Sequence, residues 1–258
     1  MSFKSLPLLY MRNLRQIPRI PTVLVFGIMM PVIQLVLFGS IFSATTDLPG
    51  HPYAGIEYYA FIAPAIVLLT TFLGMANASA AFLVDLRTGY FDKLRTTPAS
   101  PATFIAARLG ADMTRVALQA CLILLIALLL GARVETGPLG ALVMVLCSVV
   151  FSTLTVGLLV MALAMKTKSD QATQSAFPLF FVFIFLSTAY MPEQLLPGWL
   201  QTAVKFNPID YLIQGLRGLM LEGWGDAAVD LAIALGGAVV VAVLLSLLNL
   251  RIYRNMTA

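Results

Sequence analysis

Charge is what this sequence has least of. Only 11% of its 258 residues are Asp, Glu, Lys or Arg, against about 25% in soluble domains. Histidine occurs once, as His51, beside Pro52 in a polar stretch, and reads as a solvated loop residue. Cysteine occurs twice, as Cys121 and Cys147, both inside apolar runs. That spacing makes neither a metal motif nor a disulfide framework, so both read as packing residues. No GxxxxGK[ST] loop is present, which excludes ATP hydrolysis by that device, and there is no HExxH or GxSxG. No metal-binding residues, catalytic residues or cofactor site are expected in this chain.

Apolar residues fill the space left by charge. They make up 60% of the chain, and the mean hydropathy is +0.92. A soluble fold of this length cannot hide so much apolar surface, because roughly half of any globule's residues touch solvent. The solvent is therefore lipid, and residues 1–258 are expected to form a single transmembrane domain. Residues 22–42, 58–84, 116–132, 138–165, 171–192 and 231–250 are free of charge. Each approaches the ~20 residues that a spanning helix needs. The fold class expected is an all-α integral membrane protein with six transmembrane helices. Pro31, Pro64 and Pro178 lie inside the first, second and fifth spans. Membrane helices tolerate such prolines when neighbours satisfy the freed carbonyls. Gly74, Ala76, Ala78, Ala80 and Ala81 give the second span small residues for close helix contact.

The first 21 residues do not read as a signal peptide. They read as an amphipathic interfacial helix, with Leu6, Leu9, Tyr10 and Leu14 on one face and Arg12, Arg15 and Arg19 able to reach lipid phosphates. A disordered basic tail is the alternative. With the N-terminus placed in the cytoplasm, six spans return the C-terminus there. Thirteen of the sixteen basic residues then face inward, leaving Arg133, Lys205 and Arg217 outside. That is a strong positive-inside pattern. The charge-free span centres argue against a gradient-driven secondary transporter, which usually carries ionisable groups at mid-depth to bind its coupling ion. They also argue against a membrane-embedded enzyme. A transporter of this kind takes its energy from another polypeptide.

One polar stretch stands out inside the apolar sequence, "DLRTGYFDKLRTTPASP" at residues 85–101. Leu86, Tyr90 and Leu94 recur every four residues and share one side of a helix. Arg87, Asp92, Lys93 and Arg95 set charge around them. A short amphipathic helix at the inner surface suits docking of a soluble motor, its apolar side chains filling a cleft and its charges fixing register. The same pattern also suits a helix lying on lipid headgroups.

A family resemblance favours docking. "LRTTPASPATFIAAR" directly after the second span resembles the permease subunits of ABC transporters of the type-2 exporter family. Residues 191–220, with Pro192, Leu196, Pro197, Trp199, Asn207-Pro208, Tyr211 and Arg217, are similar to that family's outer segment. The likeness covers essentially the whole chain and is nearest to daunorubicin-type and multidrug-resistance permeases of the bacterial plasma membrane. Lipid-linked glycan exporters look similar. The resemblance implies two permease copies, forming a homodimer in the simplest case, with two soluble ATP-binding subunits that carry the ATP and Mg. Membrane lipids would be further partners; nucleic acid would not. It further implies that residues 85–101 are a coupling helix. Leu86, Tyr90, Phe91 and Leu94 would make the cleft contacts, and Arg87, Lys93 and Arg95 would be the charge partners.

Residues 191–226 are too polar and proline-rich for a seventh span. The resemblance implies short re-entrant helices there. Glu193, Trp199, Asp210, Tyr211 and Arg217 are candidates for an outer gate; a structural cap is the other reading. Gln34, Thr71, Asn77, Ser79 and Phe181 are candidates for the substrate path, chosen as polar or aromatic side chains within the spans.

Overall fold

The computed structural model describes residues 6–16, 21–43, 56–87, 101–169, 171 and 177–257. Within them every regular element is helical. We number the helices α1 (Leu6–Gln16), α2 (Pro21–Phe42), α3 (Tyr58–Arg87), α4 (Pro101–Leu129), α5 (Gly137–Ser152), α6 (Leu158–Thr167), α7 (Phe177–Phe185), α8 (Gly198–Val204), α9 (Pro208–Leu221) and α10 (Gly225–Thr257). A π-helical turn, Thr153–Gly157, joins α5 to α6 into one long rod.

Among the described residues four segments are long and apolar enough to cross a bilayer: Tyr58–Ala78, Ile105–Leu129, Gly137–Thr167 and Gly225–Ile252. They match the second, third, fourth and sixth expected spans. The first expected span appears as α2, with a shorter apolar portion over Gly27–Phe42. The fifth differs most from expectation. Among its described residues Gln171 and the nine residues of α7 are helical, and Leu186–Met191 turn away. Asn207 explains the stop, because its amide donates to the carbonyls of Phe183 (2.7 Å) and Leu186 (2.8 Å). Those acceptors sit at the C-terminal end of the helix, where carbonyls have lost their helical partners.

α3 is the axis of the bundle. Its spanning portion is 83% buried inside the protein, whereas that of α10 is 22% buried. Burial against protein rather than lipid brings little hydrophobic gain, so close packing and hydrogen bonds must hold α3 in place. Gly74 supplies the close approach: a Cβ there would lie 2.2 Å from Val116 Cγ1 on α4. On its other side, Thr71 Oγ1 meets Ser152 Oγ of α5 at 2.6 Å. Phe72 stacks on Phe151 with ring centroids 6.0 Å apart.

The chain directions define two ends. At one end, α1 packs along the start of α4, where Tyr10 Oη meets Thr114 Oγ1 at 2.7 Å. Leu6, Leu9, Tyr10 and Leu14 are half-buried, while Leu8 and Met11 face outward. The apolar face expected for a lipid surface is thus partly taken up by protein. At the other end, α9 lies against α10, α3 and the start of α5. The local sequence sets this up: Asn207 caps α9 by accepting from Ile209 N at 3.0 Å, and Pro208 follows as its first residue. Ile209, Leu212, Ile213, Leu216 and Met220 are buried, matching the face read from their spacing.

Candidate functional site

Polar chemistry gathers at the two ends of the bundle. The α9 end carries the larger cluster. Asp210 and Arg217 stand two helical turns apart on the buried face of α9. Both reach Thr188, in the turn after α7. The Asp210 Oδ1 accepts from Thr188 N (2.6 Å) and Thr188 Oγ1 (2.8 Å), and its Oδ2 accepts from Gln214. Arg217 donates from Nη1 to Thr188 Oγ1 (3.2 Å) and from Nη2 to the Thr188 carbonyl (2.7 Å). Its Nε donates to the Phe61 carbonyl at 3.2 Å, in the turn of α3 that Pro64 loosens. The guanidinium also lies 3.8 Å from the centroid of the Phe61 ring. Burying a charge is costly unless hydrogen bonds satisfy it, and both side chains are satisfied here, joined through Thr188.

Arg217 forms one wall of an open cleft of about 130 Å³, with Thr188, Glu193, Gln214, Glu222 and Asp230 around it. Glu193, Asp210 and Arg217 of the expected outer gate therefore come together, around the cleft or through Thr188. Trp199 and Tyr211 stand apart. Trp199 is 67% exposed on α8, and Tyr211 donates from Oη to the Lys205 carbonyl at 3.1 Å. Tyr190 extends the polar layer towards α2 and α3. Its Oη accepts from Gln34 Nε2 at 3.1 Å, and its carbonyl accepts from Tyr58 Oη at 2.7 Å.

The α1 end carries an ionic ladder on α4. Arg108 Nε lies 3.0 Å from Asp112 Oδ2, and Arg115 Nη2 lies 3.3 Å from Asp112 Oδ1. Arg115 Nη2 also donates to the Gly74 carbonyl at 2.7 Å, which ties α4 to α3. All three side chains are buried. One turn further along α4, Gln119 is 2% exposed, and neither atom of its amide head has a partner.

The substrate-path candidates do not share one cavity lining. Gln34 faces Tyr190. Thr71 is fully buried between α3 and α5. Asn77 is exposed and bonds its own helix at the Leu73 carbonyl (2.9 Å). Phe181 is half-buried, its ring centroid 6.1 Å from that of Phe185. Ser79 lies on α3, as do the coupling candidates Leu86 and Arg87 in its last turns. Tyr90, Phe91, Lys93, Leu94 and Arg95 lie outside the described residues.

Sequence reasoning missed Thr188, Tyr58, Tyr190, Arg108 and Gln119. The signal for the ladder was present, since Arg108, Asp112, Arg115 and Gln119 recur at helical spacing on one face. Thr188 had no such signal, being one of two adjacent hydroxyls, Ser187 and Thr188, at the end of an apolar run.

Among the described residues no cluster of three His, Cys, Asp or Glu side chains can hold a metal ion. What the two clusters do show is anchoring: Arg115 ties α4 to α3, and Asp210 and Arg217 tie α9 to the turn after α7 and to α3.

Comparison with known proteins agrees. The family model described as "ABC-2 type transporter" matches residues 5–221. A daunorubicin resistance ABC transporter permease protein, DrrB1, of Streptomyces coeruleorubidus is 27% identical over 246 residues, covering 92% of this chain and 82% of the relative. A protein named transport permease ycf38, from Porphyra purpurea, is 27% identical over 244 residues, 88% of this chain and 81% of its own. A doxorubicin resistance ABC transporter permease protein, DrrC, of Mycobacterium tuberculosis is 24% identical over 162 residues, 63% of this chain and 58% of its own.

Proposed function

This chain belongs to the ABC-2 type transporter family, and from that premise we propose that it is the membrane-spanning subunit of an ATP-driven exporter. The cargo is a hydrophobic or amphipathic compound, drug-like or lipid-like, moved out of the cytoplasm or the inner leaflet. Two soluble ATP-binding subunits supply the energy and hold the ATP and Mg. A second permease copy, a homodimer in the simplest case, completes the path. The protein is multi-pass in a bacterial plasma membrane with both termini in the cytoplasm. The α1 end faces in, the α9 end faces out, and α2 and the segment containing α7 complete six passes. Residues 191–226 enter the outer leaflet and return.

The observation that carries this reading is where charge sits. Arg108, Asp112 and Arg115 lie at one end and Asp210 and Arg217 at the other. The spanning stretches between them hold no Asp, Glu, Lys, Arg or His. These stretches therefore offer no ionisable side chain at mid-depth to bind a coupling ion. Drug-resistance permeases among the relatives support the cargo class.

Reconstitution tests it. The chain is co-expressed with soluble ATPases that contain a phosphate loop, and the purified complex is screened for ATPase stimulation by cationic drugs, phospholipids and glycolipids. Stimulation by a drug supports drug export; stimulation by a glycolipid alone assigns the cargo to the lipid class. Failure of every such ATPase to bind would contradict the proposal.

A further inference from the structure

Gln119 is the one buried side chain in the middle of α4 whose whole amide head lacks a partner among the described residues. Leaving both its donor and its acceptor unmatched in a buried position destabilises this arrangement. Two other helices press on it. A Cβ at Gly74 of α3 would lie 3.1 Å from its Oε1, and a Cβ at Gly27 of α2 would lie 2.9 Å from its Nε2. Gly27 is a particular neighbour. Pro31 lies one turn after it inside α2, and proline has no N–H to give to the carbonyl four residues back. A donor without an acceptor therefore sits beside a glycine whose carbonyl has lost its helical donor. The two are adjacent but not bonded.

We propose that Gln119 Nε2 and the Gly27 carbonyl form a state-dependent latch between α2 and α4. It is open in the present structure and closes when α2 rotates or slides by a small amount against the α3–α4 pair. Glycine at both contact points is what lets the amide pass between the helices. Gln119 acts as a positioning residue: it sets where α2 rests in one state of the cycle and touches no cargo. The link to ATP rests on the exporter reading above; the unpaired amide does not.

Three measurements test the latch in the assembled complex. Gln119→Met keeps the length of the side chain and removes the amide. It should raise the thermal midpoint of the resting complex by about 2 °C or more, and lower ATP-driven transport at least tenfold. An unchanged or lower midpoint would mean that the amide is already satisfied here, and would overturn the proposal. Pro31→Ala returns an N–H to the Gly27 carbonyl. Combined with Gln119→Met it should reduce transport no further than the worse single change, whereas multiplied losses would overturn the latch. Finally, the Gly27→Cys/Gln119→Cys pair should crosslink with a yield that changes several-fold on adding ATP. A constant yield, in a complex whose ATPase is active, would overturn it. Absence of any ATPase activity in the parent complex would count against the exporter reading, while the thermal comparison would still decide whether the latch is open.

Discussion

Arg217 carries more of the α9-end cluster than any other side chain. It donates to Thr188 twice and to Phe61 once, and it lies on the Phe61 ring. Replacing it with Met would leave the Thr188 and Phe61 carbonyls without this donor. Each buried polar group left unsatisfied costs about 1–3 kcal/mol. We therefore expect Arg217→Met to lower the detergent melting temperature sharply. Asp210→Asn should be far milder than Asp210→Ala, because an amide oxygen can still accept both Thr188 donors. Equal losses in the two variants, read by the same melt, would contradict the hydrogen-bond account. The sequence made half of this legible. Spacing placed Asp210 and Arg217 on one helical face, and both charges needed a neutral setting. Thr188 was invisible because its contribution is partly backbone, its N–H and carbonyl being set by a turn that no side-chain pattern announces.

Among the elements, the α3–α4 pair is a close contact and the most informative. Gly74→Val would drive a side chain into Val116. Overpacking of this kind costs about 1–3 kcal/mol, and here it also pushes on the carbonyl that Arg115 holds. Gly74→Ala should destabilise measurably, and Gly74→Ala combined with Val116→Ala should recover part of the loss. Additive destabilisation in a thermal double-mutant cycle would show that the contact is not where the structure puts it. Long uninterrupted apolar runs foretold α3, α4, the α5–α6 rod and α10 well, since length and hydropathy suffice when the helix is continuous. The apolar face of α9 was equally readable from its spacing. The C-terminal end of the fifth expected span was not. Its run looks long enough, but α7 ends at Phe185 where the distant Asn207 takes the Phe183 and Leu186 carbonyls. A capping group 21 residues or more further along the chain leaves no mark on local hydropathy. The π turn at Thr153–Gly157 was likewise unmarked.

At the scale of the whole molecule, the account is a passage that borrows its force. Residues 88–100 join the end of α3 to the start of α4, and those are the helices that Arg115 ties together at Gly74. Force applied to that stretch would enter the most buried helix of the bundle directly. Tyr90→Asp with Leu94→Asp should therefore abolish co-purification of the ATPase while leaving the permease folded, as read by an unchanged melting temperature. Retained binding and transport-linked hydrolysis would defeat the docking role of residues 85–101. The most direct test reconstitutes the chain in sealed vesicles, alone and with its ATPase, and follows uphill accumulation of a stimulating cargo. The account predicts accumulation only when both the ATPase and ATP are present, with no response of the lone chain to an imposed proton or sodium gradient. Concentrative uptake by the lone chain, driven by either gradient, would contradict it.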